Sequence, residues 1–171
     1  SQSRPFAVTG VEYAGPLHVK EGTRIEKRYI ALYTCASTRA VHLEVAQDLS
    51  AEAFLRTLQR FSARRSYPQM LISDNGSNFV SSAKILKSWE ENHRVRSTLN
   101  LNKCKWHFNP SRAPWFGGFF ERIVKMVKLC LQKTLQRTMV TEDELHTVLC
   151  EIEANLNNRP LTSISDSVDD H

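Results

Sequence analysis

The order of the periodic segments constrains this chain most. Three strand-like runs arrive within the first 46 residues, before any helix-like run, and strands then alternate with helices. The first, Phe6 to Tyr13, alternates apolar with small or polar residues and is expected to break at Gly15-Pro16. Arg28 to Cys35 forms the second. Ala40 to Ala46 forms the third, with Val41, Leu43 and Val45 on one face and His42 and Glu44 on the other. The charged stretch Lys20 to Arg24 fits a solvated hairpin tip between the first two.

Ser50 can cap a helix whose apolar face is Phe54, Leu58 and Phe61, and Pro68 closes that region. Gln69 to Ser73 is a short strand that delivers Asp74 at its end. A helix is expected from about Ser82 to Glu91, then a polar stretch, then a strand at Trp106-His107-Phe108. Asn109 to Gly118, with two prolines and two glycines, reads as a loop. One helix follows from Gly118 to about Arg137. The last starts at Thr141, where Glu144 completes a capping box and Val140 and Leu145 are placed for a hydrophobic staple. Leu145, Leu149, Ile152 and Leu156 line one face of it, and Pro160 stops it. Three strands, helix, strand, helix, strand and two helices pack most naturally as an α/β fold: a mixed five-stranded sheet flanked by helices.

The 171 residues suit one domain, with residues 5–160 as the fold and 161–171 as a C-terminal tail. Hydrophobic residues make up 41%, which excludes a wholly disordered chain. The net charge of +5 favours a polyanionic partner but equally fits a basic soluble surface. Cys35, Cys104, Cys130 and Cys150 form no C-x-x-C pair and read as reduced thiols of an intracellular protein. No apolar run approaches the ~20 residues a membrane helix needs. No secretory signal is visible at Ser1, and the abrupt start is what would be expected of a domain excised from something longer.

Three acids sit where such a sheet can gather them. Glu12 lies near the end of the first strand, Asp74 ends the fourth, and Glu121 occupies the first turn of the helix after the loop. Carboxylates converging at one rim of a sheet bind Mg²⁺ or Mn²⁺, which require hard oxygen ligands. A pair of such ions stabilises both the attacking and the leaving oxygen of a phosphoryl displacement. Each acid also has an ordinary reading. Asp74-Asn75-Gly76 is a turn sequence, Glu121 complements a helix dipole, and Glu12 is a strand residue facing solvent. Lys125 and Lys128 lie four and seven residues beyond Glu121 on the same helical face, where they can hold DNA phosphates. The alternative is a solvated helix with a Glu121–Lys125 pair worth ~0.2–0.5 kcal/mol. Phe120, Val124, Val127 and Leu131 form the apolar face of that helix, as core or dimer surface. Trp115 and Phe116, in a loop able to close over DNA, are candidate contacts. His42 and His107 are assigned no metal role.

The segments Gly10 to Pro16, Arg39 to Glu44, Ser73 to Phe79, Phe116 to Glu121 and Ile152 to Leu161 together resemble retroelement integrase catalytic cores. The combination most resembles integrases of BEL/Pao-type LTR retrotransposons, in order and over nearly the whole chain. That resemblance implies an RNase H-like fold and a metal triad of Glu12, Asp74 and Glu121 holding Mg²⁺ or Mn²⁺. It implies 3′-end processing and strand transfer on double-stranded DNA, DNA contacts by Lys125 and Lys128, a homodimer or higher multimer, and a nuclear location. The chain departs from the family pattern in places. Glu12 stands where the family has Asp, Trp115 where it has His, Phe120 where it has Trp, Ser111 where a second Pro is common, and Ser66 where Gly is usual. The expected function is therefore DNA integration by a polynucleotidyl transferase core, weakened by Glu12. The alternative is a non-catalytic descendant kept for DNA binding or self-association. A ribonuclease H proper is disfavoured by the final Glu-bearing helix.

Overall fold

A computed structural model describes residues 4–99, 103–108, 118–135 and 139–158. Its strands are β1 (Val8–Glu21), β2 (Arg24–Cys35), β3 (Val41–Ala46), β4 (Met70–Ser73), β5 (Lys105–Phe108) and β6 (Val140–Thr141). Its helices are α1 (Ala51–Arg65), α2 (Ser77–Glu91), α3 (His93–Leu99), α4 (Phe119–Leu135) and α5 (Glu142–Asn157). The sheet runs in the order β3-β2-β1-β4-β5, with β6 added beside β1. β1, β2 and β3 are antiparallel neighbours, whereas β4 and β5 run parallel to β1. This is the expected mixed sheet, with a sixth strand of two residues beyond the five.

Two apolar cores lie on the two faces. Val11, Tyr33 and Leu71 face α1 and α2, against Phe54, Phe61 and Phe79. Leu32, Leu43 and Ile72 face α4 and α5, against Phe120, Val127, Leu145 and Ile152. The period of two along each strand thus assigns alternate side chains to opposite layers. The face read on α4 as core or dimer surface is core.

Several boundaries differ from the sequence reading, each for a local reason. Phe6 takes a φ of 62°, so β1 starts at Val8 instead. β1 also does not end at Gly15-Pro16. Its register with β2 shifts between Ala14 and Leu17, and the strand continues to Glu21 through this bulge. Gly15 supplies the turn, at a φ of 118° where a Cβ would crowd Arg28 O at 3.2 Å. Past the bulge, Val19 and Lys20 pair with Val140 and Thr141. α2 starts at Ser77, five residues before the expected position, because the polar Ser77-Asn78 turn precedes the buried anchor Phe79. α3, read as an irregular polar stretch, has no apolar period to announce it.

The caps behave as expected. Ser50 accepts the Ala53 N–H at 3.1 Å, and Thr141 and Glu144 form the reciprocal box. The hairpin tip is Gly22-Thr23, between paired Glu21 and Arg24. β3 is an edge strand, and α5 seals it. Asn157 accepts the Val41 N–H at 2.8 Å and donates to the Val41 carbonyl at 2.9 Å, and Glu153 accepts the Leu43 N–H at 2.9 Å. Glu153 and Asn157, one helical turn apart, therefore serve the sheet edge.

Candidate active site

Glu12 projects from the middle of β1. It pairs with Leu32 of β2, so its side chain points toward the α4 layer. Tyr13, next along, points the other way and stacks on Phe79 at the start of α2, 5.5 Å between centroids. Burial holds the Tyr13 phenol well above the ordinary tyrosine range, so it serves as a neutral wedge between β1 and α2.

Asp74 follows β4 directly. The last pair of the parallel β1–β4 ladder is Gly10 with Ile72, and Glu12 and Asp74 each stand two residues beyond it. Adjacent parallel strands thus carry the two acids to the same rim of the sheet. Asp74 Oδ1 accepts the Gly76 N–H at 2.8 Å, a turn that launches α2. A Cβ on Gly76 would lie 3.0 Å from that oxygen, so a side chain there would crowd the turn. The turn reading of Asp74-Asn75-Gly76 holds as well. Ser73 donates to the Asp74 carbonyl at 2.8 Å and accepts the Trp106 indole N–H at 2.9 Å, which ties this corner to β5.

Glu121 lies in the first turn of α4, exposed. Glu12, Glu121, Lys125 and Lys128 line one open groove of about 390 Å³, floored by Phe120 and Val124. The Lys128 ammonium stands 3.6 Å from Glu12 Oε1. Four of the five residues singled out in the sequence are therefore brought to one place. Asp74 is at the same rim of the sheet but does not line this groove. Among the described residues, no three His, Cys, Asp or Glu side chains stand close enough together to hold a metal ion. Trp115, Phe116, Ser111 and the loop from Asn109 to Gly117 lie outside the described residues, as do Arg159, Pro160, Leu161 and the tail.

The sequence reading missed Arg39. It sits in the β2–β3 turn at a φ of 64°, with its guanidinium 4.6 Å from the centre of the Phe119 ring. That contact pins the start of α4, and hence Glu121, against the sheet. Nothing in the spacing of residues 39 and 119 announces it.

The fold is shared with known structures. The chain superposes on the HTLV-2 integrase catalytic core domain in complex with magnesium, in a trimeric and a dimeric form. The trimeric form is 17% identical with a TM-score of 0.58, covering 92% of this chain and 89% of that one. The dimeric form is 13% identical with a TM-score of 0.60, covering 94% and 91%. The fold is RNase H-like. It also matches the simian T-cell lymphotropic virus intasome in complex with the PP2A regulatory subunit B56 gamma, at 14% identity and a TM-score of 0.59. That match covers 92% of this chain and 56% of the other. No family model matches the sequence, and neither does any curated protein. No helix among the described residues is long and apolar enough to cross a membrane.

Every candidate ligand is a carboxylate, the donor type a hard divalent cation takes, although no three of them stand together among the described residues.

Proposed function

We propose that this chain is the catalytic core of a retroelement integrase, of the BEL/Pao type its motifs resemble. In this reading it processes the 3′ ends of element DNA and joins them to target DNA in the nucleus, as a homodimer or larger multimer. The observation that carries it is the shared rim: Glu12 and Asp74 at matching positions on parallel neighbours, with Glu121, Lys125 and Lys128 on the helix above. Glu12, Asp74 and Glu121 would hold Mg²⁺ or Mn²⁺. Ions held by these carboxylates would supply charge stabilisation to the attacking and leaving oxygens of the displacement. Lys125 and Lys128 hold the substrate backbone by charge, which carries no sequence preference. The Glu12–Lys128 pair is half-exposed and worth under ~1 kcal/mol, so an arriving cation displaces it readily.

A second reading has an observation of its own. Lys128 neutralises Glu12, and no three-ligand cluster is assembled among the described residues. Both suit a non-catalytic descendant that binds DNA or itself. A strand-transfer assay on the native chain with Mn²⁺, beside Asp74→Asn and Glu121→Gln, separates the two. The integrase reading expects product from the native chain and none from either variant. Product that persists in both variants would remove these carboxylates from the chemistry.

A further inference from the structure

A groove larger than the one at Glu121 lies at the edge of the sheet beside β5. It measures about 860 Å³, and α2, α3, β4 and β5 surround it. Lys87, Arg96, Lys103 and Lys105 ring it, all exposed. Among the described residues, Lys87, Lys103 and Lys105 form no ion pair within 4.0 Å. Two carboxylates also line the groove, and one of them is already engaged. Glu90 is buried, accepting the Tyr67 hydroxyl at 2.7 Å and the Cys104 N–H at 3.0 Å. The groove thus carries four cations against the two carboxylates, with Glu90 turned inward and Glu91 exposed.

The groove also holds an aromatic platform. Trp106 and Phe108 stack at 5.7 Å with an interplanar angle of 15°. The inner ring is fixed, since Trp106 packs on Phe54 at 5.6 Å and donates its indole N–H to Ser73. The outer ring is presented to solvent, with Phe108 37% exposed. Phe108 pairs with Ser73 in the β4–β5 ladder, one residue from Asp74. An exposed ring on a rigid support, ringed by cations, suits a base stacking on it while phosphates follow the lysines. Ordering the platform costs little, because the fold has already ordered it.

We infer that this groove binds an unpaired nucleotide strand, stacking a base on Phe108 and holding its phosphates with Lys87, Lys103 and Lys105. A lone exposed phenylalanine would not carry this, and neither would a basic patch. The stacked pair and the cations meet in one groove whose end adjoins Asp74. The site does not depend on catalysis, so it is measured without divalent metal. Its outcome is therefore separate from that of the strand-transfer assay.

The test is fluorescence anisotropy with a labelled oligo-dT of roughly 12 nucleotides, oligo-U RNA of the same length, and a blunt DNA duplex. Phe108→Leu keeps apolar volume but removes the ring face. It should weaken binding of at least one single strand by about five- to hundredfold while leaving duplex binding within about twofold. Lys103→Ala with Lys105→Ala should lower the single-strand salt slope by about 1.4. The DNA and RNA arms identify which strand the groove takes. Unchanged affinity for both single strands in Phe108→Leu, with an unchanged unfolding midpoint, would overturn the inference. So would an equal loss on the duplex.

Discussion

The Lys128 ammonium lies 3.6 Å from a carboxylate oxygen of Glu12, across the groove between α4 and β1. The pair joins the first acid of the candidate triad to the second of two lysines on the Glu121 face. It makes Lys128 both a neutraliser of Glu12 and a ready contact for phosphate. Changing Lys125 and Lys128 together to Ala should weaken duplex binding evenly across sequences. The slope of log affinity against log salt should fall by about two units, since each lost phosphate contact removes ~0.9. A salt titration on several unrelated duplexes measures this. An unchanged slope would place both lysines outside the DNA interface.

Ser66 explains a departure that sequence alone only registered. It follows α1 at φ 77° and ψ 156°, with its N–H donated to Ser62 O at 2.9 Å. That region is almost closed to side chains and costs them on the order of 1–3 kcal/mol. Glycine adopts it freely but loses ~0.5–1 kcal/mol through the flexibility of the unfolded chain. Ser66→Gly should therefore stabilise the fold by about 1 kcal/mol, raising the unfolding midpoint by roughly 2–4 °C. Calorimetry on the two proteins decides it, and a lower midpoint in the glycine variant would sink the strain argument.

The edge of β3 holds a charged network that the sequence showed only as alternation. His42 is buried and donates to Glu44 at 2.9 Å from Nε2, while Arg65 donates to its Nδ1 at 3.0 Å. Glu44 also receives Arg60 at 2.8 Å and lies 3.6 Å from Arg64. Burial pushes the Glu44 carboxyl upward, but the hydrogen bonds from His42 and Arg60 outweigh it and hold the group below the usual carboxylate range. A depressed carboxylate stabilises the fold above its unfolded value, ~4.3, and loses that contribution as pH falls through the lower folded value. The native chain should therefore lose stability below about pH 4.3 more steeply than Glu44→Gln. At pH 7 the variant should be weaker by about 2–3 kcal/mol. Arg60 and Arg64 reach solvent, so the loss falls short of that for a fully buried pair. Urea unfolding at pH 7 and pH 3.5 gives both quantities. Equal pH slopes in the two proteins would remove Glu44 from the acid response.

What the sequence made legible follows from what periodicity can encode. The strand order, the capped helices and the placement of Glu12, Asp74 and Glu121 all rest on local pattern, and the structure keeps them on those elements. Contacts between distant residues left no such trace. Arg39 on Phe119, α5 side chains sealing Val41 and Leu43, and Val140 pairing with Val19 each need the fold before they exist. Gly15-Pro16 misled because those residues end strands in most settings. Here a bulge uses Gly15 to bend β1 and let it continue. The similarity of Glu153 and Asn157 to a family motif was visible, but their work at the sheet edge was not.

Glu12 is where function turns. Its carboxylate sits one methylene farther from β1 than an aspartate would, and that reach brings it to Lys128. Asp74, by contrast, is a short acid fixed by its turn. Mg²⁺ demands near-ideal octahedral geometry, so a ligand oxygen displaced along the groove shifts the ion or the phosphate with it. Misplacement by ~1 Å can cost about a hundredfold in rate. Glu12→Asp should therefore leave the fold unchanged, because the side chain stays partly exposed and acidic at the rim. It should raise the strand-transfer rate by up to about a hundredfold with Mg²⁺. The gain should be smaller with Mn²⁺, which is expected to tolerate the native glutamate better. Both proteins are compared with each metal at matched unfolding midpoints. A native chain already efficient with Mg²⁺, and no faster after the change, would show Glu12 to be a competent ligand. If neither protein turns over with either metal, the second reading stands: Lys128 has taken the cation's place beside Glu12, and the fold is kept for binding alone.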